Sequence, residues 1–229
     1  MKKKPVFYTE LAYIFGIVAL AIGVAFMERA DFGMSMVVAP AYLLHLKISE
    51  YLPFFSFGMA EYTLQLFLII ALMIIVRKFR LSYLFSFVTA VLYGFILDGC
   101  IFLVSFIPDG GIIARVAFFV GGILFCSCGV SLVFHTYISP EAYELFVKEI
   151  SAKFSWNITK VKWIYDITSM LVAVAMSFIF FGLWHFEGVK LGTVICALVN
   201  GLIIGAFSKI FEKSFEFKDG LKLRPLFEK

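Results

Sequence analysis

The chain has 229 residues, of which 62% are hydrophobic and 16% charged, with 29 Phe and a net charge of +4. A soluble domain carries about 45–50% apolar and about 25% charged residues, so a soluble globular fold is excluded, as are disordered, collagen-like and disulfide-stapled chains. What remains is an all-α polytopic membrane protein, in which the basic excess reflects sidedness toward an anionic leaflet and not nucleic-acid binding.

A helix rising about 1.5 Å per residue needs roughly 20 apolar residues to cross about 30 Å of hydrocarbon. The first such run is Leu11 to Met27, behind Met1-Lys2-Lys3-Lys4. That start imitates a signal peptide with Ala19-Leu20-Ala21 as its cleavage motif, but the apolar run continues past the supposed cut, so it is taken as a span. Asp31-Phe32-Gly33-Met34-Ser35 then leads into Met36 to Leu44, apolar enough to dip into the membrane and too short to cross it; Pro40 suits a broken or re-entrant helix. Phe57 to Val76 is the second span and Tyr83 to Ile107 the third.

The fourth run is Val116 to Phe134. After it, Ser139-Pro140-Glu141 reads as a helix start, with Ser as N-cap, Pro at the first helical position and Glu at the positive end of the dipole. The helix that follows gathers Ala142, Tyr143, Leu145, Phe146 and Ile150 largely on one side, which predicts an amphipathic segment lying in the cytoplasmic interface. Trp163 to Trp184 and Leu191 to Ser208 complete six spans.

Placing the N-terminus in the cytoplasm puts 16 of the 20 basic residues there: Lys2, Lys3, Lys4, Arg77, Lys78, Arg80, Lys148, Lys153, Lys160, Lys162, Lys209, Lys213, Lys218, Lys222, Arg224 and Lys229. Only Arg29, Lys47, Arg115 and Lys190 fall on the far side. The asymmetry predicts an even number of spans with both termini cytoplasmic.

The chain also resembles itself. Ser86 to Gly94 in the third span lines up with Thr193 to Gly201 in the sixth, and the first and fourth spans share a seven-residue glycine spacing, Gly16 to Gly23 and Gly122 to Gly129. The units are residues 1–108 and 109–215, followed by a basic cytoplasmic tail, 216–229. Each holds three spans, an odd number, so the second lies upside down relative to the first. Such inverted repeats are common in secondary transporters, whose substrate sites lie near the midplane between the repeats.

A carboxylate inside a span costs about 2.5–3.5 kcal/mol on insertion scales and is a functional candidate for that reason. Asp98 lies well inside the third span between Gly94 and Gly99; its counterpart in the second repeat is Gly205. Glu61 sits one turn into the second span, with Gln65 on its helix face, and Arg29 ends the first span on the same outer side, so Arg29, Glu61 and Asp98 are expected to cluster. Asp166 near the inner end of the fifth span and Asn200 in the sixth complete the substrate- or ion-binding candidates. Arg115 is expected to reach the interface or to pair with Asp109. The bland readings are that Arg29 pairs locally with Glu28 or Asp31, that Glu61 caps its helix, and that Asp166 is an ordinary interfacial acid.

No catalytic arrangement is present. His45, His135 and His185 lie at span ends without metal-ligand spacing, and no phosphate-binding loop occurs, so neither an enzyme, a cofactor nor a metal site is expected. The four cysteines fall inside spans and read as buried, inert thiols, because Cys126 and Cys128 point to different helix faces.

Leu191 to Gly205, Phe32-Gly33-Met34-Ser35 and Ile96-Leu97-Asp98-Gly99 resemble motifs of the YczE/YitT-like bacterial integral membrane proteins. Where that family shows a glycine-containing connection in its latter half, this chain has Ile138-Ser139-Pro140-Glu141 without the glycine. The resemblance implies a permease-like protein of the bacterial cytoplasmic (inner) membrane and carries over no binding residues. The leading expectation is therefore an ion- or proton-coupled transporter of a small solute. The alternatives are a substrate-binding subunit similar to the six-span components of energy-coupling-factor transporters, docking a partner through Ala21 and Ala25 or Ala19 and Gly23, and a membrane assembly or regulatory protein. Expected partners are the lipid bilayer, a small-molecule or ion ligand, and a second copy or partner subunit.

Overall fold

The computed structural model describes residues 4–108, 110–221 and 224–227. A three-residue strand β1 (Val6–Tyr8) precedes α1 (Thr9–Ala30), a short α2 (Ala39–Ser49), α3 (Phe57–Val76) and α4 (Leu81–Ser105). The same order of long, short, long and long follows in α5 (Gly111–Phe134), α6 (Ala142–Phe154), α7 (Ile158–Phe181) and α8 (Leu191–Ser214). Strand β2 (Glu216–Lys218) and a last turn α9 (Arg224–Phe227) close the chain. Among the described residues, six helices are long and apolar enough to cross a membrane, α1, α3, α4, α5, α7 and α8, matching the six expected runs.

The central contact is the crossing of α1 and α5. A Cβ placed on Gly16 would meet the Gly129 carbonyl and one on Gly23 the Gly122 carbonyl; the reverse clashes hold from the α5 side. The four glycines thus let two antiparallel backbones touch, the close approach that small residues provide where lipid offers no hydrophobic drive. Exchanging the two helices maps Gly16 on Gly129 onto Gly122 on Gly23, so the contact is two-fold symmetric. Around it α4 packs on α1 as α8 packs on α5, and α6 packs on α3 as α2 packs on α7.

The symmetry breaks at one place. The α3 and α4 helices form a tight hairpin in which Gly58 and Gly94 bring the backbones together. Gly201, the counterpart of Gly94, faces open space. Accordingly, 28% and 33% of the spanning windows of α3 and α4 are buried but only 11% and 6% of those of α7 and α8.

The expected interfacial position of the 142–154 helix is not what is found. Ala142, Tyr143, Leu145, Val147, Glu149 and Ile150 are all buried, and α6 packs on α3, α4 and α7. Its start lies beside Gln65, about three turns from the end of α3. Its other end lies at the α3–α4 hairpin, where Glu149 accepts from Arg80 (2.7 Å) and Tyr83 (3.1 Å). The chain therefore leaves α5, rises into the bundle and returns through α6 to the same side. Thirteen residues span about 20 Å, short of a crossing. The helix also starts later than Ser139 because its cap comes from elsewhere: Ala142 N–H donates to Gln65 Oε1 at 3.0 Å, while the carbonyls of Ser139 and Pro140 accept from Thr89 and Ser86 of α4. The α2 segment is likewise enclosed, with Ala39, Pro40, Ala41 and Leu43 buried and Pro40 in its first turn.

The two chain ends meet. Strands β1 and β2 pair in parallel, Val6 with Glu216 through Tyr8 with Lys218. Glu10 accepts from the backbone of Gly220 and Leu221 and from the Tyr137 hydroxyl. Phe227 of α9 packs at a tilt on Phe85 and edge-on against Tyr137. Both ends thus lie on one side of the bundle, as an even number of spans requires. Lys2, Lys3, Lys222 and Lys229 lie outside the described residues.

Candidate functional site

Asp98 does not form a cluster with Glu61 and Arg29. Its two carboxylate oxygens accept from Ser56 Oγ at 2.6 Å and from the Gly58 N–H at 2.8 Å, both at the start of α3. Ser56 also caps its own helix by accepting from Met59 N. Asp98 is therefore a cap supplied in trans, a charge placed where the helix dipole favours it. Arg29 donates to the Ile107 carbonyl at 2.9 Å, and not to Glu28 or Asp31. Asp31 is instead held by Arg115 (3.2 Å) and Lys190 (2.5 Å), an ionic cross-link of α1, α5 and α8 at the end opposite the termini. Asp109, the partner expected for Arg115, lies outside the described residues.

Asp166 pairs with Lys162 at 3.0 Å, one helical turn away, and Lys162 also reaches Glu144 at 3.8 Å. The bland reading of Asp166 as an ordinary ion-paired acid is the one this geometry favours. Asn200 stands apart on α8, its Oδ1 buried without a hydrogen-bond partner.

Glu61 and Gln65 fare differently. Both are fully buried, one turn apart on the face of α3 that meets the start of α6. Glu61 Oε2 accepts from the Tyr143 hydroxyl at 2.7 Å, and Gln65 Nε2 lies 3.4 Å from both Glu61 Oε2 and Glu141 Oε2. Gln65 Oε1 is used by the Ala142 N–H. A single amide thus bridges two carboxylates and caps a helix. The remaining oxygen of each carboxylate, Oε1 of Glu61 and Oε1 of Glu141, is buried with no partner. Such groups are rare, because an unpaired buried carboxylate oxygen forfeits its hydration.

Around this core stand Tyr93 of α4, fully enclosed and within electrostatic range of both acids, Cys126 of α5, within range of Glu141, and Tyr165 of α7, within range of Glu61. The site therefore draws on helices of both halves of the chain. Sequence reasoning found Glu61 and Gln65 and missed Glu141, Tyr143 and Tyr93. The signal that points to them is the self-similarity itself: the connection holding Pro40 reads as re-entrant, and the same reading of its counterpart holding Pro140 places Glu141 inside the bundle.

The small-residue face of α1 that a substrate-binding subunit would offer to a partner is consumed within the chain. Ala21 and Ala25 are fully buried and Gly23 lies against Gly122 and Cys126. Among the described residues no group of three or more His, Cys, Asp or Glu side chains is arranged to hold a metal ion. The four cysteines are free, three of them buried.

No curated protein and no solved structure matches the chain. The model of one protein family matches residues 7–209, from β1 to within α8 and so nearly the whole helical bundle; the chain belongs to DUF6198, a family of unknown function.

Proposed function

We propose that this membrane protein is a permease-like transporter of a small solute, built from two inverted three-span halves with its working site at Glu61, Gln65, Glu141 and Tyr143. One observation carries the reading: the start of the re-entrant α6 meets two buried carboxylates about midway along α3, where residues of both halves converge. Secondary transporters place broken-helix ends and irregular backbone at such a depth because only there does polar backbone line a ligand path. The internal two-fold contact of α1 and α5 supports the inverted halves.

The unequal packing of the halves supports alternation between states. A closed α3–α4 hairpin beside a parted α7–α8 pair is what one extreme of a rocking cycle looks like when the halves exchange conformations. Both termini are assigned to the cytoplasm, since Lys4, Arg77, Lys78, Arg80, Lys148 and Lys153 flank the described helix ends on the side where the termini meet. The YczE/YitT-like motifs are consistent with a bacterial cytoplasmic membrane.

The test uses the full chain in liposomes exposed to a metabolite extract under an imposed proton or sodium gradient, with the lumen analysed by mass spectrometry. At least one small solute should be enriched over protein-free liposomes, and Glu61→Ala should abolish the enrichment. Equal lumen contents with and without protein, under both gradients, would overturn the transport reading.

A further inference from the structure

The buried acids carry an inference about what the site holds. Glu61 and Glu141 are joined through one Gln65 amide nitrogen, 3.4 Å from an oxygen of each. Among the described residues neither forms an ion pair, although ion pairs are the usual compensation for charges buried in protein or lipid. Asp166 sits at the same distance from the end of α7 as Glu61 from the end of α3, and there the acid does have its cation, Lys162. The Glu61 end of the pseudo-symmetric arrangement has lost the cation and gained a second acid.

Among the described residues, the groups facing the pair offer no free positive charge: Lys162, which reaches Glu144, is paired with Asp166. The facing groups are the hydroxyls of Tyr143 and Tyr13, the ring of Tyr93, the Cys126 thiol, Tyr165, and Glu144 on α6 itself. Two carboxylates this close cannot both stay ionised away from water, so a proton is the compensating charge that fits without added volume. The hydrogen bonds also set its place. Tyr143 O–H and the Gln65 amide both point donors at Glu61 Oε2, which favours a carboxylate there. Glu141 receives only the shared amide and keeps Oε1 free to carry hydrogen.

We propose that Glu61 and Glu141 form a proton-binding site holding one exchangeable proton between them, carried mainly on Glu141. Release is a plain acid dissociation: the O–H bond of Glu141 breaks, its electron pair stays on the carboxylate, and the proton leaves to water when the cycle opens the site. In the transport reading, on which this part of the inference rests, that proton is the coupling ion.

The experiment is infrared spectroscopy of the purified full chain in lipid nanodiscs, following the carbonyl band of protonated carboxylic acids and its shift in deuterated water. The wild type should show such a band at neutral pH that disappears in alkali. Glu141→Gln should remove it, and Glu61→Gln, which deletes the neighbouring negative charge, should lower the proton affinity of the acid left behind by about tenfold or more. Tyr143→Phe keeps the fold-defining ring and removes a donor that favours the ionised pair, so its band should persist to higher pH. Asp98→Asn should leave the band unchanged. A wild-type protein without the band at neutral pH, or a band indifferent to all three cluster variants, would overturn the proposal. A band that behaves as expected in a protein that enriches no solute in liposomes supports the proton site while overturning the transport reading.

Discussion

At the residue scale, Asp98 shows how an intramembrane acid can be structural. Its oxygens take hydrogen from Ser56 and Gly58, and the close approach of Gly58 and Gly94 lets the two helices come near enough for this. Asp98→Ala should cost about 1–2 kcal/mol, the price of a lost helix cap and an exposed donor pair, read as a lower thermal midpoint in detergent. Asp98→Asn, which retains an acceptor for the Gly58 N–H, should lose less. A variant as stable as wild type would contradict the capping role. The sequence marks Asp98 as costly but does not say which neighbour offsets the cost, because Ser56 and Gly58 are some forty positions away and one of the two donors is a backbone N–H, invisible in side-chain pattern. Glu61 was legible for the same reason, and its i+4 relation to Gln65 survived intact because that spacing is a property of one helix.

At the scale of elements, all six spans were legible, with ends that differ from the helices by up to about six residues, since hydrocarbon thickness fixes the length of the apolar run and not where the helix stops. The short helices were legible as helices, but the enclosed place of α6 was not, because it is set by the α3, α4 and α7 surfaces around it and not by its own pattern. The glycine spacing shared by α1 and α5 proved to be a mutual contact, which gives a paired test. Gly23→Leu should destabilise the protein by about 1–3 kcal/mol through overpacking, seen in thermal melts. Gly201→Leu, where nothing lies within reach, should stay within about 0.5 kcal/mol of wild type. The terminal segment offers a test by acid. Arg224 hydrogen-bonds the Asp219 carboxylate at 2.7 and 3.1 Å, and holds its pKa below the ordinary aspartate value. A carboxylate depressed in the folded state contributes stability above that value and loses it as pH falls through the folded pKa. A spin label at Leu221 should therefore gain mobility only as pH falls below the ordinary aspartate value, and Asp219→Asn should raise its mobility at neutral pH, with the Glu10 bonds to Gly220 and Leu221 as the remaining tether.

At the scale of the whole molecule, the unequal halves make a mechanical claim. Spin labels at the exposed Leu171 on α7 and Leu202 on α8 should report a separation that shortens when the halves exchange conformations, with a matching opening between α3 and α4. One unchanging distance across acidic and alkaline conditions would contradict the exchange. The parallel pairing of β1 with β2 bears on biogenesis as well. The first helix leaves the ribosome long before residues 216–218 exist, so its leading strand must wait, edge exposed, through the insertion of every later span. That small sheet can close only after the sixth span has emerged, so a nascent chain truncated anywhere before β2 carries an open β edge.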